Sequence, residues 1–518
     1  MRPSPCSSCL LTQKCLTLDC FAGFFCFKYT GRLSLTFPKN SIRVFFLIIW
    51  VLLFAALLKR DYFIKSIDIR EEQIIKRGRE ESFAGIYFQN ERIGFVKNRL
   101  TESGPDGYIL YQQAFLYLNI LNESYPVDMR ITASLSKDML LRDFSFHFTS
   151  PFYRMEAEGR VEDRDIRFSF TTGKETFSDV IRLQKPPLLS TNRRFYLLDQ
   201  GLQPGDKVKI PYFDPISLSG KDTVMEYKGR EKILIKNRIY TLHHFVETFS
   251  GIRINSWLDD GGKVIKEESP AGFVFISEPE FKATDIKVNG REILSSVSIP
   301  LSGGIPDLTN RKEIRYRLTL PPEADFDLDK DRQSLHGDIL MVSLESLPAP
   351  DAASCQGFPE ELASTPYIQA RNKLITDLAQ AEAGNAASDL ERVTILTEWV
   401  FKNLEKRPVL GIPDALTTLS TKMGDCNEHA ALFAALARSI GIPTRVVAGV
   451  TFSEGAFYYH AWNEVCLDGD WYSVDTTTNQ FPADLSHIKF VEGETNEQVR
   501  IAALLGKLQI EIVADKKD

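Results

Sequence analysis

Between Cys26 and Cys355 the chain contains no cysteine, so its larger part does not read as a disulfide scaffold. Cys6, Cys9, Cys15, Cys20 and Cys26 crowd the N-terminus, and Cys355, Cys426 and Cys466 follow much later. Cys6 and Cys9 have the gap of a metal knuckle, but no second pair follows at a suitable spacing, so no zinc site is assigned there. Charge of one sign is also missing. The 62 basic and 69 acidic residues leave a net charge of -7, and no basic stripe with interleaved aromatics marks a nucleic-acid footprint. No nucleic-acid partner is therefore expected. No internal repeat is present, which argues against a solenoid. What the chain has is 518 residues at 43% hydrophobic content, too much for one core and enough for about two to four domains.

The single strong apolar run is Val44 to Leu58, fifteen residues between Arg43 and the pair Lys59, Arg60. A spanning helix needs about 20 residues, or roughly 17 at the short end with flanking side chains that snorkel. The run has no polar side for a solvent-facing core helix, and basic residues follow where a signal peptidase needs small ones. These features predict an uncleaved membrane anchor over 44–60, after an unstructured tail over 1–43. Basic residues flank both ends in similar number, so charge does not decide orientation.

From about Phe83 to Glu280 short alternating strands are separated by turn residues. In "MEAEGRVEDRDIRFSF" Ile166, Phe168 and Phe170 point one way while Arg167 and Ser169 point the other. Turn signals at "QNE", "PDG", "TTGK" and "DDGG" have the spacing of a meander. The expectation is a large, curved, antiparallel β domain over 83–300, a β-rich connecting region over 301–350, and a linker at "PAPDAAS". A C-terminal α+β domain then occupies 360–518. It opens with Ser388 three residues before Glu391, a capping-box signature, ahead of Leu390, Val393, Leu396, Val400 and Leu404 at helical spacing.

In "GDCNEHAALFAALARSIGIP" the residues from Ala430 to Ala437 cover almost the whole helix circumference, which predicts a central buried helix stopped by Gly441 and Pro443. Asp425 is a good N-cap with Glu428 three residues on, so Cys426 falls at the first helical position. A thiol there faces the positive end of the helix dipole and unpaired N–H groups, and both favour the thiolate. The position argues for reaction over packing. A base follows in "FYYHAWNEVCLDGDWYSVDTTTNQ", which reads as a hairpin about Asp468 and Gly469. With those two as the loop, Leu467 faces Asp470 and His460 faces Thr477. His460, Trp462 and Asp475 then share one face, with Asp475 diagonal to His460 at about 7 Å.

These two segments resemble the core of the transglutaminase-like superfamily, a papain-like cysteine fold, over roughly Asn385 to Asn479. The order Cys, His, Asp and the gaps of 34 and 15 residues are similar to the family's. The resemblance implies that Cys426 is the nucleophile, His460 the general base and acid, and Asp475 the orienting carboxylate, with no cofactor or metal. It further implies acyl transfer or hydrolysis on amide bonds of protein or peptide substrates. Bacterial members are commonly secreted or anchored, which implies an inner-membrane, single-pass protein with a periplasmic body. The β region, with "GLQPGDKVKIPYFDP" and "SWLDDGGKVIKEE", is loosely similar to periplasmic half-barrels of the lipoprotein-carrier kind.

Other residues have plainer readings. Cys426, His429, His460 and Cys466 would suit zinc by ligand type, but Cys466 lies about 20 Å along the strand from His460 and reads as a packed thiol. His243 and His244 alternate faces of a strand and read as structural. A second reading of the whole is a catalytically silent, protein-binding core beside a ligand-binding β domain; retention of Cys426, His460 and Asp475 together favours the enzyme.

Overall fold

A computed structural model of the chain describes residues 48–51, Lys65–Ser66 and, apart from short stretches of which 287–297 is the longest, residues 81–513. The expected tail and most of the expected anchor lie outside these residues. Residues 48–51 are helical and exposed, and among the described residues no helix is long and apolar enough to cross a membrane. The chain divides into two compact units, Met1–Lys59 and Arg60–Asp518, and all else described belongs to the second.

Strict alternation over the first two hundred residues of that unit gives one 15-stranded sheet. Its described pairs are antiparallel except where Lys65–Ser66 runs parallel to Val208 and Lys209. Two meanders meet where Phe273–Glu278 pairs with Glu81–Phe88. The inward face predicted for Ile166, Phe168 and Phe170 is buried, and these residues join Phe146, Met155, Phe213 and Phe245 in a single apolar core. Burying that face supplies most of the stability of such a sheet.

The C-terminal fold is built on a second, nine-stranded sheet. Its strands are β1 (Ile299–Ser302), β2 (Glu313–Thr319), β3 (Gln333–His336), β4 (Ile339–Ser343), β5 (Thr444–Ser453), β6 (Ala456–Leu467), β7 (Asp470–Val474), β8 (Ile488–Glu492) and β9 (Gln509–Ile512). They lie in the order β3-β4-β2-β9-β1-β6-β5-β8, with β7 also paired to β6. Thus the strands of 299–343 enter the same sheet as the hairpin that carries His460. Helices α1 (Lys373–Ala383), α2 (Asp389–Asn403), α3 (Ala415–Thr421) and α4 (Cys426–Ser439) accompany it.

Local sequence explains these helices. Ser388 accepts the Glu391 N–H at 3.2 Å to cap α2, while Glu391 reaches back to the Ala387 N–H, one residue earlier than a capping box requires. The first turn of α4 has the full box: Asp425 accepts from Asn427 N–H and Glu428 accepts from Asp425 N–H, each at 2.9 Å. Every residue from Glu428 to Arg438 is buried, so α4 is the central helix its composition predicts.

Asp414 caps α3 through the Thr417 N–H at 2.9 Å, and its other oxygen accepts from Tyr153 at 3.1 Å and Thr172 at 3.2 Å, both in the large sheet's core region. Burial raises the Asp414 carboxyl above its ordinary range against these donors. Tyr367 adds a second link, its hydroxyl donating to the Ile216 carbonyl and its ring meeting Phe170 edge-on.

One expectation is corrected here. Cys466, expected as a packed thiol, is instead joined to Cys355 in a disulfide across 111 residues. Backbone pairing brings them together: Cys355 N–H donates to Cys466 O at 3.2 Å, and Asp468 N–H donates to Ala353 O at 2.9 Å. The bridge also removes Cys466 from any zinc site.

Candidate active site

The hairpin behaves as its loop dictates. Asp468 and Gly469 both adopt the left-handed region, with φ of 51° and 98°, and Leu467 pairs with Asp470. The register continues without a bulge to Asn463 opposite Val474. Asp475 follows directly and its Oδ2 lies 3.0 Å from His460 Nε2. Because Nε2 is engaged, Nδ1 is the nitrogen of His460 left to take a proton from a neighbour.

Cys426 reaches the same place from the helix side. On the edge of β6 away from β5, β1 pairs with Ala456 and Phe457 and β7 pairs from Asn463 onward. Among the described residues no strand covers 458–462 on that edge. Ala461, next to His460 in sequence, lies on this uncovered stretch, and α4 packs against β6. Asn463 ties β6 to α4 by donating to the Ala430 carbonyl at 3.0 Å. The structure sets His460 of β6 against Asp475, and Cys426 opens the helix packed on the same strand.

Electrostatics differ from the sequence expectation. Burial pushes the Cys426 thiol well above the ordinary cysteine range, Asp425 and Glu428 push it further, and the Ala461 N–H only partly offsets them. Burial opposes charge on Asp475 as well, but His460 and His487 overcome it and hold its carboxyl well below the usual carboxylate range.

His487, in the loop before β8, is a site residue that the sequence did not indicate. Its Nε2 lies 3.1 Å from the same Asp475 Oδ2, and its Nδ1 lies 3.0 Å from Asp484 Oδ1. It stands alone in "DLSHIKF", twelve residues beyond Asp475, and no spacing rule reaches it. Trp462, predicted on the site face, packs against both histidines, 6.1 Å from His460 and 5.2 Å from His487 by ring centres. His429 turns instead to the helix backbone, its Nδ1 2.7 Å from Asp425 O; burial lowers its proton affinity and keeps it neutral.

A central helix opening on a cysteine, packed on an antiparallel sheet whose hairpin sets a histidine against an aspartate, defines the class: a papain-like α+β core. Residues 376–476 match the family model of the transglutaminase-like superfamily, and this segment is a transglutaminase-like core. The chain is similar to kyphoscoliosis peptidase of Mus musculus, 32% identical over 138 residues, which is 23% of this chain and 20% of that protein. It is 29% identical over 112 residues to an uncharacterised protein of Haemophilus influenzae, covering 19% of this chain and 30% of that one. The chain therefore spans only about a fifth to three tenths of these relatives' length. Among solved structures, one described as a candidate cysteine protease from Cytophaga hutchinsonii aligns at 15% identity and a TM-score of 0.28, over 43% of this chain and 89% of that chain. A β-barrel-like protein of a domain of unknown function from Brucella abortus aligns at 13% identity and a TM-score of 0.30, over 39% of this chain and 96% of that chain.

Proposed function

We propose that this protein is a cysteine enzyme that opens amide bonds of protein or peptide substrates through a thioester on Cys426. The observation that carries the reading is that Cys426 opens the central helix packed on β6, the strand whose His460 Nε2 is already held by Asp475. His460 Nδ1 takes the thiol proton as the sulfur attacks the carbonyl carbon. The C–N bond breaks, the amine leaves with the proton from His460, and an acyl thioester remains. Water attacking that thioester gives hydrolysis, and an amine gives transfer. The Cys426 N–H, at the free end of α4, supplies one donor for the oxyanion.

The enzyme is further proposed to be anchored through Val44 to Leu58 with an extracytoplasmic body. The Cys355–Cys466 disulfide supports this, since such bridges persist in oxidising compartments. The Cys426 thiol, raised by its surroundings, favours a second reading, the catalytically silent binding core. One experiment separates the two. Full-length protein is incubated with a periplasmic extract, quenched in acid, and digested to identify acyl adducts by mass spectrometry. An adduct on Cys426 that disappears in Cys426→Ala and falls sharply in His460→Ala supports the enzyme. Folded protein that never carries one supports the silent core.

A further inference from the structure

Asp475 has more partners than a dyad needs. Its Oδ1 accepts the Thr477 N–H at 2.8 Å, and its Oδ2 accepts from Thr478 Oγ1 at 2.6 Å besides facing both histidines. Behind His487, Asp484 Oδ1 is itself fixed by the Ser486 N–H at 2.8 Å and the Ser486 hydroxyl at 2.6 Å, while Gln480 Nε2 holds Asp484 Oδ2 at 3.1 Å. The His487 side chain is 1% exposed.

A neutral imidazole carries one N–H. With carboxylate oxygens 3.0 and 3.1 Å from its two nitrogens, a neutral His487 would set a lone pair against an oxygen lone pair at one end. The imidazolium satisfies both contacts. A satisfied core histidine is the plainer reading, yet this one grips the oxygen atom that also grips His460. Its ring meets His460 edge-on, with centres 5.6 Å apart. A charge at that distance acts directly on the base.

We propose that His487 is a positioning residue of the site, an imidazolium clamped between Asp484 and Asp475 that fixes Asp475 for His460 and offsets part of its negative charge. The proposal rests on the assignment of Cys426, His460 and Asp475 made above. The charged and titratable groups around His487 are consistent with it. Asp475 faces it from the loop after β7, Asp484 from its own loop and His460 from β6. Arg332, before β3, is spent on the carbonyls of Ala483 and Asp484 and on Glu345. From α4, Cys426 and His429 both lie within electrostatic range of Asp475. The nearby acidic groups raise the proton affinity of His487 against its burial.

Losing a proton from the Cys426 and His460 pair removes positive charge, which a neighbouring imidazolium favours. Without that charge the loss requires a higher pH. Coulomb's law at 5.6 Å gives an upward shift of about half a unit at a water-like dielectric and about two units at an effective dielectric of about 20.

The test is the rate of Cys426 alkylation by iodoacetamide against pH, read by peptide mapping on the full-length chain. His487→Gln, which keeps an amide donor but no charge, should move the rising limb up by about half to two units while the protein stays folded. A role confined to packing would lower the melting temperature and leave the midpoint in place. His460→Ala is run alongside. If it changes the Cys426 profile and folded His487→Gln does not, or moves it downward, the proposal fails while the triad stands. If His460→Ala changes nothing, both fail. Nitrogen-15 NMR of histidine-labelled wild-type protein provides a readout independent of the variant. His487 should keep both N–H protons at pH 7, and a neutral tautomer there overturns the proposal.

Discussion

Removing the Cys355–Cys466 bridge tests whether the hairpin that carries His460 depends on a distant tether. The bridge joins residues 111 apart, and the chain-entropy model gives about 5 kcal/mol for closing a loop of that length, with about 2 to 4 kcal/mol typical of measured bridges. Native contacts around it should survive, since Ala353 N–H still donates to Asp468 Oδ1 at 3.0 Å and Ser354 still bridges Leu467. Alanine at both positions avoids burying an unpaired hydroxyl, because Cys355 and Cys466 are 8% and 0% exposed. At about 2 to 4 °C per kcal/mol for a domain of about 150 to 250 residues, the Cys355→Ala/Cys466→Ala variant should melt about 5 to 20 °C lower. The assay is a thermal melt of wild type and variant, with and without reductant, beside peptide mapping of unreduced protein. Reductant should lower the wild-type midpoint toward the variant's and leave the variant unchanged. If Cys355 and Cys466 both alkylate without reductant, or if the variant melts with the wild type, the tether is absent and the argument falls.

Cys426 in the wild type should alkylate slowly at pH 7 and still be accelerating above pH 9, because burial, Asp425 and Glu428 raise its thiol; a plateau by pH 7 would show that the helix end outweighs them. Gly449 pairs with His460, and a Cβ there would lie 1.9 Å from the Ile488 carbonyl oxygen and 2.9 Å from the Trp462 ring, so Gly449→Ala should cost at least about 2 kcal/mol in urea denaturation. A neutral result would mean that β5 and β8 do not approach as described. Burial disfavours charge on Glu492, but Lys489, Lys330 and Arg445 hold its carboxyl down at about 2 against an ordinary 4.5. A depressed carboxyl stabilises the fold above the ordinary value, and that contribution is lost as pH falls toward 2. Glu492→Gln should therefore flatten the decline of melting temperature between about pH 4.5 and 2, and an unchanged slope would count against the network.

Features set by near neighbours in sequence were legible before the structure. The Asp425 and Glu428 cap, the buried circumference of α4 and the loop at Asp468 and Gly469 all follow from a few consecutive residues, and the hairpin loop alone brings Asp475 to His460. Long-range pairing was not legible. Nothing local in "DLSHIKF" says that His487 returns to Asp475, and nothing around Cys355 says that it meets a strand 111 residues on. The entry of 299–343 into the sheet depends on β1 lying between β6 and β9, a choice that alternation along one strand does not encode. The upward shift of the Cys426 thiol was not legible for a related reason: the helix end is visible in sequence, whereas desolvation comes from packing.

Asp414 shows how the core could, or could not, be exchanged between proteins. It starts a helix inside the family-matched segment, yet two of its hydrogen-bond donors, Tyr153 and Thr172, belong to the large β region. A graft cut at residues 376 and 476 would leave that buried carboxyl short of partners and would strip β5 and β6 of their neighbours β8 and β1. Recombination that preserves the core would have to carry matching donors on the new scaffold or replace Asp414 with a cap that needs none. The two halves of this chain are therefore expected to have diversified together, with their junction constrained as tightly as a core position.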